Sequence, residues 1–123
     1  MKKLLTITAI IEAATSVGLL AAPPVVARLL LGAPLDTPAA VTVARVAGAA
    51  LLTLGVACWL ARDDGRVLVV AMLFYNVIAV AILAYAAVGL ALSGIGLWPA
   101  VGLHTALGGW CVGALKRRVQ RSR

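Results

Sequence analysis

Hydrophobic residues along this chain fall into four long runs, separated by short breaks that contain prolines, glycines or charges. The runs cover approximately residues 4–22, 39–61, 67–92 and 99–115. Each is close to the roughly 20 residues that a helix needs to cross a bilayer, and none shows the alternation of a membrane β-barrel strand. Lipid requires every backbone group to be hydrogen-bonded within its own segment. The pattern therefore predicts four transmembrane helices in a single all-α domain, an antiparallel four-helix bundle.

The connection between the first two runs is predicted to contain a short helix of its own. Residues 25–32 are apolar except for Arg28. They can form two helical turns that lie flat at the membrane interface, with a re-entrant segment as the alternative. Beyond them, Asp36 or Thr37 can cap the next helix, with Pro38 at its first position.

The composition agrees with lipid as the solvent of this chain. Of its 123 residues, 63% are hydrophobic and 12% are charged, and the mean hydropathy is +1.08. Soluble domains are nearer to half apolar and a quarter charged. A small domain cannot hide so large an apolar excess in one core, because its surface must stay polar.

The net charge of +7 is concentrated at the ends of the hydrophobic runs. Basic residues cluster at Lys2 and Lys3, between Arg62 and Arg66, and in the tail 116–123. Since lysine and arginine are enriched in cytoplasmic loops, both termini are expected in the cytoplasm. Because no aromatic residues interleave with the charge, we expect no nucleic-acid partner.

The first run also has features of a secretory signal peptide, with two lysines before an apolar stretch. However, Glu12 interrupts that stretch, and Ala21-Ala22 does not provide a clean small-x-small cleavage site. We therefore expect residues 4–22 to form a helix of the bundle.

Polar side chains at membrane depth are the candidates for function. A charge at the centre of a span costs roughly 2.5–3.5 kcal/mol, so such residues are expected to face the bundle interior and to pair. At a rise of about 1.5 Å per residue, Glu12 and Asn76 lie near the middle of their spans. Arg45 and His104 lie in the outer half. The predicted cluster is an ion pair between Glu12 and Arg45 with Asn76, His104 and Tyr75 as neighbours.

Two interpretations of this cluster remain open. Buried ion pairs and hydrogen bonds between transmembrane helices often only fix the register and topology of the bundle. Alternatively, the same residues line a cavity that binds a ligand, since a polar group on each of four helices exceeds what register alone requires.

Small residues indicate where helices approach closely. Gly48 and Gly55 share a helix face with Arg45 and allow close packing there. Thr105, Gly109 and Gly113 recur at four-residue spacing, a pattern typical of helix–helix contacts in membranes. That second stripe can pack inside the bundle or form a homodimer interface.

No metal or cofactor site is predicted. Cys58 and Cys111 lie near the cytoplasmic end, where a disulfide is unfavourable, and they lack the spacing of metal ligands. We expect both to be small buried thiols. The nucleotide-binding, hydrolase and metalloprotease motifs are absent from the sequence.

The segment ARVAGAALLTLGVA, in which Arg45 is followed by Gly48 and Gly55, resembles the small four-helix membrane proteins of the DoxX-like group in bacteria. The resemblance extends to size, four spans and cytoplasmic termini. It implies a multi-pass protein of the bacterial inner (plasma) membrane. Some members of the wider group act as partner subunits of oxidoreductase or maturation systems, and distant relatives bind or isomerise sterols.

Three functions are compatible with these features. The favoured one is a non-enzymatic membrane module that binds a partner protein, a lipid or a small apolar ligand through the polar cluster. The second is a small transporter or channel, as a dimer in one version, in which Glu12 or His104 carries protons and Arg45 attracts an anion. The third is an isomerase-like enzyme with Glu12 and His104 as an acid–base pair.

Overall fold

The computed structural model describes residues 1–121, with side chains for residues 1–117. This part of the chain is all-helical, as predicted, and contains no strand. Residues 122 and 123, the end of the predicted basic tail, lie outside the described residues. The helices are α1 (Lys2–Ala21), α2 (Pro23–Leu31), α3 (Pro38–Leu60), α4 (Arg66–Val88) and α5 (Leu97–Arg121).

Three of these helices, α1, α3 and α4, are long and apolar enough to cross a membrane. This finding supports the prediction of a transmembrane protein. The longest helix, α5, spans 25 residues but is not among the three. Its sequence is less apolar, because it contains His104 and ends in basic residues.

Two helix boundaries show how the sequence controls the connections. At the start of α3, the Thr37 hydroxyl accepts a hydrogen bond from the Ala40 N–H at 3.1 Å, and Pro38 occupies the first turn, as predicted. By contrast, α4 ends at Val88, although the apolar run continues to Leu92. The Leu92 N–H turns back to the carbonyl of Ala86 at 3.0 Å, which satisfies an acceptor that the helix end leaves free.

The long helices pack mainly as two pairs, α1 with α3 and α4 with α5. One hydrophobic core joins these pairs at the end of the molecule that contains the chain's N-terminus. Both cysteines are buried there as free thiols, which agrees with the expectation for them. The core residues are Leu4, Leu5, Ala9, Cys58, Val69, Met72, Leu107, Cys111 and Ala114.

Glycine gives the α1–α3 pair its close approach. A Cβ atom on Gly48 would lie 2.9 Å from the Cβ of Leu19, and one on Gly55 would lie 3.2 Å from the carbonyl oxygen of Ala9. Neither position has room for a side chain unless the two helices separate. The backbone of α1 beside Glu12 is therefore held directly against α3.

The small-residue stripe on α5 has a different environment. Thr105 and Gly109 are exposed, and an added Cβ on Gly109 would have no neighbour within 4 Å. The only neighbour near Gly113 is a side chain of α5 itself. The stripe therefore does not pack against another described helix, and its alternative role in a homodimer stays a prediction.

The short helix α2 docks against the loop that precedes α5. The Gly96 N–H donates a hydrogen bond to the Leu29 carbonyl at 2.8 Å. Gly32 ends α2 with φ +71°, and a Cβ there would lie 2.8 Å from the backbone nitrogen of Gly94. This close backbone contact fixes α2 across one side of the helix pairs.

An exposed ion pair lies at the core end of the molecule. The Lys2 ammonium contacts the Asp63 carboxylate at 2.9 Å and joins the start of α1 to the α3–α4 turn. The hydrogen bond and the charge of Lys2 lower the pKa of the Asp63 carboxyl. Since both groups are solvent-exposed, this pair adds little to the free energy of folding. Its main effect is to orient the start of α1 relative to the α3–α4 turn.

We expect Gly55→Val to destabilise the protein by about 1–3 kcal/mol, because the new side chain forces α1 and α3 apart. Gly109→Val adds the same side chain to open space on α5 and is the matched control, expected to unfold at or near the wild-type temperature. Thermal unfolding of both variants in detergent checks this. Equal losses of stability in the two variants would contradict the assigned α1–α3 interface.

Candidate functional site

A hydrogen bond between Asn76 and His104 ties α4 to α5. The Asn76 side chain is 1% exposed, and its amide nitrogen donates to the Met72 carbonyl at 2.7 Å. Its amide oxygen lies 2.8 Å from Nδ1 of His104. These two residues of the predicted cluster are therefore in direct contact.

The Met72 carbonyl determines which nitrogen of His104 carries the proton. A backbone carbonyl can only accept, so the Asn76 nitrogen must face it and the Asn76 oxygen must face the histidine. That oxygen is also only an acceptor, so Nδ1 of His104 is the donor. In the neutral ring, Nε2 then has a lone pair and no proton.

Tyr75 connects this pair to Glu12. The Tyr75 and His104 rings meet edge to face, with centroids 5.5 Å apart and an interplanar angle of 79°. Tyr75 and Glu12 line the same cleft, and the two side chains are close enough to influence each other electrostatically. An aromatic edge-to-face contact of this kind also restricts rotation of the imidazole.

Glu12 is nearly inaccessible, at 2% exposed. Its Oε1 atom is buried and has no hydrogen-bond partner, and the same holds for Oγ of Ser16 one turn later. A buried polar atom without a partner costs roughly 1–3 kcal/mol, and more when it is charged. A buried oxygen without a partner therefore indicates a position where a further hydrogen-bonding group can bind.

A cleft of about 320 Å³ lies where these residues meet. Its walls come from α1, α2, α4 and α5, and it is partly open to the exterior. Most of the lining is aliphatic, whereas the polar groups are few and lie close together in the structure. The lining residues are Ile11, Glu12, Ala14, Thr15, Gly18, Val26, Leu29, Leu30, Tyr75, Leu83, Gly96, Ala100, Leu103 and His104.

The structure corrects the expected role of Arg45. This residue is exposed on α3 and does not line the cleft, and the predicted Glu12–Arg45 ion pair is not formed. Gly55 is the residue of α3 that lies against Glu12, and Arg45 precedes it by ten residues, about 15 Å along the helix. A long basic side chain near a helix end also costs less when it extends towards the membrane interface.

The cluster therefore contains Glu12, Tyr75, Asn76 and His104 without Arg45. Sequence reasoning missed the wall that α2 supplies through Val26, Leu29 and Leu30. Their i, i+3, i+4 spacing places them on one face of α2, but it does not indicate which part of the molecule that face meets.

The described residues contain no group of three or more His, Cys, Asp or Glu side chains that could hold a metal ion. The side chains with polar groups that line the cleft are those of Glu12, Thr15, Tyr75 and His104. No ion pair joins His104 to Glu12. Both side chains line the cleft.

A double-mutant cycle tests the Asn76–His104 contact. Asn76→Leu leaves a buried imidazole N–H unpaired, so we expect each of Asn76→Leu and His104→Phe to destabilise the protein by about 1–3 kcal/mol. The double variant should lose less stability than the sum of the two single losses. The difference, which is the coupling energy, should be about 0.6–1.7 kcal/mol, the range for polar contacts between membrane helices. Unfolding in detergent measures it, and strictly additive losses would show that the two side chains do not interact.

Comparison with models of known protein families, with curated proteins and with solved structures finds no significant match. The DoxX-like resemblance thus continues to rest on the pattern from Arg45 to Gly55. In the structure, both glycines of that pattern lie at the α1–α3 interface. The function is inferred below from the chemistry of the cleft.

Proposed function

We propose that this protein is a non-enzymatic membrane module that binds a small apolar molecule with a polar head in the cleft between its helix pairs. The observation that carries the proposal is the buried Oε1 atom of Glu12, which has no partner and belongs to a residue that lines a mostly apolar cleft. Concave apolar sites with a few convergent polar groups are the usual form of small-molecule sites.

The energetics of Glu12 favour a ligand. In a membrane an isolated carboxyl lowers stability and is kept where it serves a purpose. A bound head group that hydrogen-bonds to Oε1 regains the free energy lost when that atom is buried alone. The aliphatic lining adds affinity through the apolar area that the ligand body covers.

The arrangement in the membrane is part of the same proposal. With α5 as the fourth span, both termini and the Arg62–Arg66 turn lie on one side, which the positive-inside rule assigns to the cytoplasm. Two contacts support this grouping. The Lys2–Asp63 ion pair joins the start of α1 to the α3–α4 turn, and Ala114 on α5 lies in the same core as Leu4.

In this arrangement, the cleft lies in the half of the membrane away from the cytoplasm. The Pro38 end of α3 and the loop that begins at Gly89 are on that side. Membership of the DoxX-like group and a place in the bacterial inner membrane fit this topology and belong to the proposal.

An acid–base enzyme of the isomerase type is the second candidate. Its specific support is that Glu12 and His104 line one cleft instead of facing different sides of the molecule. The two functions differ in the fate of the bound molecule. A binding module releases it unchanged, whereas an isomerase alters the position of a double bond or hydrogen.

Filling the cleft tests the proposed binding. Ala100 lines the cleft, whereas Ala106 is exposed on the same helix, so Ala106→Phe is the matched control for Ala100→Phe. We expect Ala100→Phe to lower ligand occupancy about tenfold or more, since overpacking costs about 1–3 kcal/mol and tenfold corresponds to about 1.4 kcal/mol.

Native mass spectrometry of protein released from detergent measures this occupancy as an added mass. Wild type and Ala106→Phe should carry the small molecule, and Ala100→Phe should not. A wild-type protein that never retains an added mass, even after incubation with membrane extract, would oppose the binding proposal.

Cysteine labelling tests the topology. Asp36→Cys lies between α2 and α3, and Asp64→Cys lies in the α3–α4 turn. A membrane-impermeant maleimide should label the first in intact cells and the second only after lysis. Wild type is the control, because both native cysteines are buried. Labelling of both variants from the same side would exclude the assigned topology.

A further inference from the structure

We propose that the molecule bound in the cleft is a small apolar alcohol, whose hydroxyl lies between Nε2 of His104 and Oε1 of Glu12. This inference rests on the proposed binding function and specifies the chemistry of the ligand. It follows from hydrogen bonds that begin deep in the protein, at the Met72 carbonyl.

The first requirement is a donor on the ligand. The Met72 carbonyl fixes the amide of Asn76, the amide fixes the proton of His104 on Nδ1, and Nε2 is left as an acceptor. His104 lines the cleft beside the Tyr75 ring, and most of the remaining wall is aliphatic. A ligand that presents only a carbonyl oxygen would oppose this nitrogen with a second acceptor.

The second requirement is a group on the ligand that can hydrogen-bond to Glu12, either as an acceptor or as a second donor. Oε1 of Glu12 has no partner, and no ion pair connects the carboxyl to His104. A hydroxyl oxygen accepts one hydrogen bond while its proton donates another. It can therefore donate to Nε2 and accept the O–H of protonated Glu12, so one atom satisfies both groups.

An amine is the chemical competitor, because an ammonium has three donors and no acceptor. It would need an ionised Glu12 and would place two charges in an apolar cleft, where the desolvation cost can exceed the gain from pairing. A hydroxyl satisfies the same two protein atoms without burying any charge. The geometry thus favours the neutral head group.

The size of the cleft limits the body of the ligand. Its volume of about 320 Å³ is at the lower end of the range of about 300–1,000 Å³ for ligand sites. A ring or a short branched chain fits this space, whereas an intact phospholipid does not. Val26, Leu29 and Leu30 of α2 and Leu103 of α5 would contact that body.

A matched series of ring compounds tests the inference. Cyclododecanol, cyclododecanone, cyclododecane and cyclododecylamine share one apolar body and differ in the head group. The chain has a single histidine, so ring-¹⁵N labelling gives signals from His104 alone. Titration of each compound into the protein in detergent, followed by NMR, reports the affinity and the state of both ring nitrogens.

We expect the unliganded protein to show a protonated Nδ1 and an unprotonated Nε2. Cyclododecanol should shift the Nε2 signal and bind about tenfold or more tightly than the ketone or the hydrocarbon, the loss expected for a missing buried hydrogen bond. Glu12→Gln keeps a group that can donate and should retain this preference, whereas Glu12→Leu should lose part of it.

His104→Phe should bind the alcohol and the hydrocarbon with similar affinity, read from ligand-observed NMR. Thr105→Val is its matched control, since the Thr105 hydroxyl is exposed and bonded to the Val101 carbonyl of its own helix. This control should keep the wild-type preference. The ligand series on wild type decides the question even if His104→Phe fails to fold.

The other outcomes separate the two proposals. Equal binding of alcohol, ketone and hydrocarbon would overturn the alcohol assignment and leave the binding function intact. Tightest binding of the amine would replace the hydroxyl by a cationic head group. A proton on Nε2 in place of Nδ1 would overturn the donor requirement. Failure of every compound to bind would overturn both proposals.

Discussion

In a bilayer, a polar side chain must find its hydrogen-bond partners within the protein, because the lipid offers none. The polar residues of this chain meet that requirement in different ways. Both polar atoms of the Asn76 side chain have a partner, the Met72 carbonyl for the nitrogen and His104 for the oxygen. Arg45 stays outside the helix contacts on the exposed face of α3. Glu12 and Ser16 each have a buried oxygen without a partner, and of the two only Glu12 lines the cleft.

The cleft exists because the helix pairs are held together by different means. Glycines let α1 and α3 meet backbone to backbone, whereas α4 and α5 are joined by larger side chains and the Asn76–His104 bond. The shared core closes the space between the pairs at one end only. Towards the other end the pairs leave a gap, and α2 covers part of it through its contact with the α4–α5 loop.

The sequence predicts the helices and the depth of the polar residues, because apolar runs and chain length determine both. It does not predict the direction in which Arg45 points. Arg45 and Gly48 are only about 60° apart around the helix, but the residue of α3 beside Glu12 is Gly55, about 15 Å further along, and the sequence alone does not give this register. The end of α4 is missed for a related reason: apolarity continues to Leu92 although the backbone turns back earlier. The wall from α2 depends on tertiary docking, which hydrophobic periodicity alone does not encode.

The hydrogen bond that orients His104 also bears on whether the cleft binds or reacts. A histidine that passes a proton through its ring gains it at one nitrogen and loses it from the other, whereas one that takes up and returns a proton at a single nitrogen keeps the other nitrogen bonded. Here the Nδ1 proton is held by the Asn76 oxygen, and that oxygen cannot turn away without placing two acceptors, its own amide oxygen and the Met72 carbonyl, against each other. Relay through the ring would therefore break two buried hydrogen bonds at each turnover. The same arrangement costs nothing when Nε2 only accepts a hydrogen bond from a bound molecule. The geometry thus disfavours a relay through the ring and leaves Nε2 as the ring atom that can act on a bound molecule, which is why binding ranks above transport by such a relay for this site.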